Sequence, residues 1–239
     1  MIETKDLHRS YKLGRKLVEV LHGIDLSISA GEKVFLCGPS GAGKTTLLYT
    51  LAGLEHPERG SVSIDGTDLY SLGRRQQATF RNSRIGYVFQ NYHLLPELTA
   101  LENVMVPGLI GGKDREVAAK EALNRVGLSE RADHLPAELS GGEQQRVAIA
   151  RAIVTNPDTL FADEPTGNLD SKTTVEIMEL LRKLNEDRGI SIIMVTHEDE
   201  VAACARRVIN VRDGLISSDV NQDARRKKET QDSRLEAPR

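Results

Sequence analysis

The chain has 239 residues, of which 39% are hydrophobic and 28% charged, as expected for a globular protein with one large domain or two small ones. Its 32 Lys and Arg residues are outnumbered by 35 Asp and Glu residues, and a net charge of −3 argues against a nucleic-acid partner. The longest stretch without charge, Ile85–Pro96, has twelve residues, and a membrane-spanning helix needs about 20. Glu3 and Asp6 lie where a secretion signal would be apolar. We therefore expect a cytoplasmic protein.

The order of apolar runs predicts an α/β fold. Ile2–Leu7 and Leu17–Ile28 alternate apolar and polar residues, which is typical of antiparallel strands with one exposed face. Val34–Cys37 ends at a glycine, and apolar residues then recur at helical spacing from Lys44 to Leu54, which indicates strand, loop and helix. Later apolar runs, several of them separated by helix-like stretches, predict a mainly parallel sheet flanked by helices, with a small antiparallel layer at its edge. These runs are Val62–Ile64, Ile85–Phe89, Thr159–Ala162, Ile190–Val195 and Val208–Val211.

Two regions differ from this pattern. Residues 91–139 have little strand signal, but Glu102–Met105 and Arg115–Val126 look helical and are bounded by prolines, among them Pro107. This predicts an inserted helical subdomain. After Asp219 the chain is charged and almost without apolar residues, so ordering it would bury too little surface to offset the lost entropy. We expect one domain over residues 1–219 and a disordered charged tail over 220–239.

The glycine loop after the first apolar run fits the phosphate-binding pattern G-x-x-x-x-G-K-[ST] at every fixed position. Its backbone N–H groups and the start of the following helix would face a phosphate chain, while the Lys44 ammonium adds a positive charge. The Thr45 hydroxyl can hold Mg²⁺. The residues expected to contact a nucleotide here are Gly38, Pro39, Ser40, Gly41, Ala42, Gly43, Lys44, Thr45 and Thr46.

An acidic pair follows the apolar run Thr159–Ala162. Side chains alternate along a strand, so Asp163 and Glu164 would have different tasks. Asp163 suits Mg²⁺, and Glu164 could orient or deprotonate a water molecule beside the γ-phosphate. The alternative is a solvated loop start, which the following Pro165 also fits.

A second glycine-led helix start lies at Leu139–Gln144. Ser140 is expected near the N-cap, where the N–H groups of Gly141 and Gly142 would form another anion site beside Glu143. By itself this segment is equally well explained as an ordinary capping sequence. The order of all these motifs along the chain is more specific than any one of them.

With Gln90 after the run Tyr87–Phe89 and His197 after Ile192–Val195, the chain resembles the ATP-binding cassette (ABC) ATPases over about residues 2–218. The resemblance implies that ATP and Mg²⁺ bind. It also implies roles for individual residues. Gly38–Thr45 would be the Walker A loop, Ser140–Glu143 part of the signature, Asp170 part of the D-loop, and Gln90 the Q-loop glutamine, which would contact the metal together with Thr45 and Asp163. Glu164 would be the catalytic carboxylate, His197 the switch histidine, and Tyr11 the residue that stacks on adenine.

The resemblance also implies an assembly. In this family the signature of one subunit closes over ATP held by the phosphate loop of another. The sequence contains one of each motif, so a homodimer, or a pair with a similar cassette, is expected.

Two segments are closer to one branch of the family, the lipoprotein-release (LolD-like), macrolide-export (MacB-like) and cell-division (FtsE-like) cassettes. They are Tyr87–Val104 and Ala162–Asp170. The branch implies a location on the inner face of the membrane and an integral membrane permease-type partner that docks near Gln90–Pro96, where Tyr92, Leu94 and Leu95 are expected to be exposed. Those residues could equally cap the helical subdomain.

Three functions remain open at this point. The first is an ATP-hydrolysing transporter subunit, for example one that releases or exports lipoproteins, and the second is an FtsE-like regulator of cell-wall enzymes that moves no cargo. The third is a kinase that uses the same phosphate loop, but a kinase has no use for Ser140–Glu143.

Overall fold

The structure is a computed structural model, and it describes residues 1–197 and 205–221. The strands are β1 (Ile2–Leu13), β2 (Lys16–Ile28), β3 (Lys33–Cys37), β4 (Arg59–Ile64), β5 (Thr67–Asp68), β6 (Ile85–Val88), β7 (Thr159–Asp163), β8 (Ser191–Val195), β9 (Arg207–Arg212) and β10 (Leu215–Asn221). The helices are α1 (Lys44–Leu51), α2 (Arg74–Arg84), α3 (Ala100–Ile110), α4 (Glu116–Arg125), α5 (Gly141–Ile153) and α6 (Ser171–Arg188), with short 3₁₀ turns at Ser129–Arg131 and Pro136–Glu138.

The larger sheet is six-stranded, in the order β10-β9-β3-β8-β7-β6. Every neighbouring pair in it is parallel except β9 with β10, which is antiparallel. All residues of β7 and β8 are buried, as expected for parallel strands covered on both faces. The predicted α/β fold with a mainly parallel sheet is confirmed.

Alternate residues of the central strands serve two different cores. Phe35 of β3 packs in one core with residues of α3, α4, α5 and α6. Its neighbours Val34 and Leu36 pack in the other core, with α1 and residues of β1 and β2. This follows from the two-residue period of a strand, which places successive side chains on opposite faces.

The second sheet is antiparallel, in the order β2-β1-β4-β5. The prediction that Val62–Ile64 joins the parallel sheet was wrong, because β4 pairs with β1 and Ile64 lies opposite Ile2. Val62 and Ile64 are buried while Ser61 and Ser63 are partly exposed, and this alternation is typical of a strand with one solvated face.

The helical region lies between β6 and β7. Helix α3 begins with a capping box in which the Glu102 N–H donates to Thr99 Oγ1 (3.2 Å) and the Thr99 N–H donates to Glu102 Oε2 (2.8 Å). Pro107 lies inside α3, so the prediction that it bounds a helix was wrong. Proline removes one backbone donor from a helix interior, and α3 continues for only three residues beyond it, to Ile110.

A fully buried asparagine organises the loop before α3. Asn103 Nδ2 donates to the carbonyls of Leu95 (3.0 Å), Leu98 (2.9 Å) and Thr99 (3.0 Å), and its Oδ1 accepts from the Leu95 N–H (2.8 Å). Replacing Asn103 with leucine would leave these backbone groups without their partner, and each unsatisfied buried group costs about 1–3 kcal/mol.

We therefore expect Asn103→Leu to lower the free energy of unfolding by about 3 kcal/mol or more in urea denaturation. Asn82→Ala is the matched control. Within the described residues, Asn82 Nδ2 donates one hydrogen bond, to the Pro107 carbonyl (2.8 Å), and losing this hydrogen bond should cost about 1 kcal/mol. Equal losses in the two variants would contradict the role given to Asn103.

The last strand continues to Asn221, two residues beyond the predicted domain boundary at 219. The rest of the predicted tail, residues 222–239, lies outside the described residues. Within the described ranges, none of the helices combines the length and apolar character required to cross a membrane.

Candidate functional site

The predicted site residues follow four neighbouring strands. The glycine loop follows β3, His197 follows β8, Asp163 and Glu164 lie at the end of β7, and Gln90 follows β6. These strands are adjacent and parallel, so their carboxyl ends share one edge of the sheet, where ligands bind in open α/β folds.

The loop between β3 and α1 depends on glycine. Gly38 has φ 140°, and a Cβ there would lie 2.1 Å from the Val211 carbonyl oxygen. Gly41 (φ 77°) and Gly43 (φ 98°) are also left-handed, and Gly43 is the N-cap of α1. The loop thus leads directly into a helix N-terminus, where backbone N–H groups and the helix dipole favour an anion.

Lys44 lies at the base of this loop. Only 7% of the Lys44 residue is exposed, and its Nζ donates to the carbonyls of Gly38 and Pro39, both at 2.8 Å. A buried cation needs such partners. It is therefore placed as a positive charge among the residues that would surround a phosphate chain.

Oxygen ligands for a cation meet next to the loop. Thr45 Oγ1 donates to Asp163 Oδ1 at 3.2 Å, across 118 residues of sequence. Burial raises the pKa of Asp163, and the Thr45 hydrogen bond opposes that shift. This pair of a hydroxyl and a carboxylate is the donor chemistry that Mg²⁺ prefers.

Glu164 is held from both sides. Its Oε2 accepts from Gln90 Nε2 at 2.8 Å, and its Oε1 lies 3.0 Å from His197 Nδ1. Its backbone is left-handed (φ 44°), while its N–H donates to the Val195 carbonyl at 3.1 Å. Such a backbone in a non-glycine residue persists only where the surroundings hold it.

A cavity of 630 Å³ lies over the loop, within the size range of ligand pockets. Nine of the nineteen predicted site residues line it, whereas Tyr11, Gly38, Pro39, Gln90, Asp163, Asp170 and the segment Ser140–Glu143 do not. The lining comprises Val20, Ser40, Gly41, Ala42, Gly43, Lys44, Thr45, Thr46, Glu164 and His197. Val20 was missed by sequence reasoning, because an apolar residue on a strand carries no signal of its own.

Ser140 and its neighbours are not in that lining. Ser140 is the exposed N-cap of α5, and both its N–H (2.9 Å) and Oγ (2.8 Å) donate to Glu143 Oε2. These bonds, together with Arg131, lower the pKa of Glu143. Gly141 and Gly142 form the first turn, whose free N–H groups favour an anion, and this helix start does not line the cavity of its own chain.

Two further predicted residues have defined partners. Asp170 caps α6: its Oδ1 accepts from the Thr173 N–H (3.0 Å) and its Oδ2 from the Thr173 hydroxyl (2.7 Å), and these bonds lower its pKa.

The Tyr11 hydroxyl donates to Glu55 and lies 3.4 Å from Thr46 Oγ1, while the Arg9 guanidinium lies 4.6 Å from the centre of the Tyr11 ring. The Tyr11 contacts with Thr46 and Glu55, which lie 35 and 44 residues away, could not be predicted from sequence spacing.

The predicted docking segment is less exposed than expected. Leu95 is 46% exposed, but Leu94 packs against the core and Tyr92 is half-buried. The prediction that Tyr92 and Leu94 are exposed was wrong, because the chain turns at Tyr92 and His93 and carries both side chains towards α5 and the core.

Comparison with known proteins places the chain in a family. A sequence profile for the family described as ABC transporter matches residues 21–167. The lipoprotein-releasing system ATP-binding protein LolD of Geobacter metallireducens is 49% identical over 92% of this chain and 99% of its own length. The macrolide export ATP-binding/permease protein MacB of Syntrophobacter fumaroxidans is 49% identical over 90% of this chain, which spans only 31% of the length of that relative.

Solved structures agree with the sequence matches. The dimeric structure of MJ0796, a bacterial ABC transporter cassette, is 41% identical, with a TM-score of 0.86 over 92% of this chain and 98% of its own. A dimeric post-hydrolysis state of the same cassette, bound to ADP and Pi, has a TM-score of 0.85 with the same coverage. On these matches, the chain belongs to the ABC transporter family and is an ATP-binding subunit of the LolD and MacB type.

Proposed function

We propose that this cassette hydrolyses ATP between two copies of itself and that the cycle of closing and opening drives a membrane permease. The observation that carries the proposal concerns the N-termini of α1 and α5: the first lines the cavity over the loop, and the second, which Ser140 caps, does not. The cavity is lined by the loop after β3 and the start of α1, by Glu164 after β7 and by His197 after β8, whereas Ser140 is exposed at the start of α5 and does not line it. A second copy is needed to bring a signature to each loop.

The loop would bind the phosphates of ATP through its backbone N–H groups, with Lys44 beside the terminal phosphates. Thr45 Oγ1, Asp163 and the Gln90 side-chain oxygen would hold Mg²⁺, and the all-oxygen donor set fits that ion. When bound, the ion would offset negative charge on the phosphates. Tyr11 lies beside Thr46, at the end of the loop where the adenine would stack on its ring.

Glu164 would act on the attacking water. The Gln90 amide and the His197 ring fix its two carboxylate oxygens, so the carboxylate is oriented to accept a proton from water near the γ-phosphate. His197, with 58% of its side chain exposed, remains accessible to contact that phosphate. Asp170, at the start of α6, would lie along the seam between the two copies.

The dimeric states of the neighbouring cassettes support the pairing. The test is the mass of the chain in solution by light scattering. We expect one chain without nucleotide and two chains with Mg²⁺ and a non-hydrolysable ATP analogue, because the nucleotide then lies between the copies. A single chain at saturating nucleotide and high protein concentration would contradict the proposal.

The partner is an integral membrane permease, and the cassette acts on the cytoplasmic face of the membrane as a peripheral subunit. The MacB relative is a macrolide export ATP-binding/permease protein, and the LolD relative is the ATP-binding protein of a lipoprotein-releasing system. These relatives favour a transporter over the cell-division alternative, and they favour release or export of lipoproteins or other hydrophobic cargo.

The permease would dock at residues 90–96, where Leu95, five residues after Gln90 in the sequence, is 46% exposed. Leu95→Glu would place a charge in an apolar contact, so we expect it to abolish the stimulation of ATPase activity by the permease complex. The basal ATPase of the free cassette should stay within twofold of the parent. Leu109→Glu, at a side chain that is 59% exposed on α3, is the control and should change neither rate. Normal stimulation of the Leu95 variant would exclude this docking site.

A further inference from the structure

Two consecutive residues after Gln90 have left-handed backbones. Tyr92 has φ 60° and His93 has φ 47°, and neither is glycine. This region of φ/ψ space is uncommon for residues with side chains, and two such residues in a row require groups that hold them. The Tyr92 N–H donates to the Phe89 carbonyl at 3.2 Å, which stabilises the start of the turn. The carbonyls of Tyr92 and His93 must be fixed by other groups.

Those carbonyls are fixed by an arginine from α5 (Gly141–Ile153), the signature helix, whose N-cap is Ser140. Arg151 of α5 donates through Nη1 to the His93 carbonyl and through Nη2 to the Tyr92 carbonyl, both at 2.5 Å. A guanidinium presents its donors in a rigid planar fork, so two adjacent acceptors fix its orientation and their own. Within residues 1–197 and 205–221, Arg151 forms no ion pair with a carboxylate, so these two carbonyls are its hydrogen-bond partners there.

The side chain of Tyr92 reaches the other end of the same helix. A Cβ on Gly141, the first residue of α5, would lie 3.2 Å from the Tyr92 hydroxyl oxygen. Gly141 and Arg151 are ten residues apart, which is about 15 Å along an α-helix. The turn at Tyr92 and His93 therefore contacts α5 near both of its ends, and Ser140 immediately precedes one of them.

We propose that Arg151 and Tyr92 are positioning residues that join the docking segment to the signature helix as one rigid unit. A displacement at residues 91–96 would then move Ser140, which closes over the nucleotide of the partner copy. This inference rests on the proposed function for its consequence, but the contacts themselves can be tested in the single chain.

The first test is hydrogen exchange of the nucleotide-free chain, measured for the parent and for Arg151→Lys, which keeps the charge and loses the fork. We expect about tenfold faster exchange both in residues 91–95 and in residues 141–144, because the two segments lose one shared restraint. Arg146→Lys is the control on the same helix, since Arg146 bonds to Glu176 and the Val126 carbonyl, and it should leave residues 91–95 unchanged. Faster exchange in 91–95 alone would overturn the proposal.

A second variant, Tyr92→Ala, tests the same link between the two segments if Arg151→Lys does not fold. Tyr92→Ala removes the ring beside Gly141 and keeps both carbonyls available to Arg151, so exchange should rise in residues 141–144. Unchanged exchange there would overturn the link to the signature.

The functional arm measures association with Mg²⁺ and the ATP analogue. In Arg151→Lys we expect about tenfold more protein to be required for dimer formation, with nucleotide affinity of the single chain within twofold of the parent. Parental dimer formation in that variant would overturn the proposed consequence. If the parent chain itself does not associate, the proposed function fails, and the exchange data still decide whether the two segments are joined.

Discussion

Glu164→Gln should bind ATP as the parent does and hydrolyse it about 10²- to 10⁴-fold more slowly, the usual contribution of a positioned general base. The amide has nearly the same shape as the carboxylate, so it can keep its neighbours Gln90 (2.8 Å) and His197 (3.0 Å) within hydrogen-bonding distance, but it cannot take a proton from water. ATP would then remain between the two copies. We expect a stable dimer with unhydrolysed ATP, detected by size-exclusion chromatography and nucleotide analysis.

Glu186→Gln is the matched control. Glu186 lies on α6 and pairs with Arg182 on the surface, so its neutralisation should change the ATPase rate by less than twofold. Hydrolysis at the parental rate by the Glu164 variant would remove this residue from the role of base, and the water would have to be activated by another group.

Lys44→Ala should lose nucleotide affinity by at least about 100-fold. A unit charge about 4 Å from an opposite charge contributes roughly 4 kcal/mol at an effective dielectric of about 20, and part of this is offset because the phosphates lose hydration on binding. The carbonyls of Gly38 and Pro39 also lose their donor, so the loop itself becomes less ordered. Isothermal titration with ATP measures the affinity.

Lys16→Ala, at an exposed position at the start of β2, is the control for a general effect of positive charge and should bind ATP as the parent does. Circular dichroism establishes that the Lys44 variant is folded. Unchanged ATP affinity in a folded Lys44 variant would contradict the assignment of the phosphate loop.

The positions of the site residues were predictable because each motif combines a local pattern with a strand end. The loop Gly38–Thr45 requires glycine where φ is positive, and Asp163 follows an apolar run that ends at the edge of a parallel sheet. Ser140 was expected near an N-cap and caps α5. In each case local chemistry and the global fold require the same residue type.

Other features depend on contacts that sequence spacing does not contain. The run Val62–Ile64 is too short to show which sheet it joins, and its pairing with β1 decides that. Leu94 looked like an exposed docking residue, but the turn at Tyr92 and His93 directs it into the core. Arg151 lies 58 residues from His93, and an arginine late in an amphipathic helix is ordinarily expected to be solvated.

The central claim is that each nucleotide lies between the loop of one copy and the signature of the other. Ser140→Arg tests it most directly, because Ser140 is exposed and lies outside the cavity over the loop of its own chain. Calorimetry and light scattering on the same sample should show parental nucleotide affinity in a chain that stays monomeric and hydrolyses no ATP. Parental hydrolysis by a monomeric Ser140→Arg chain would contradict the account.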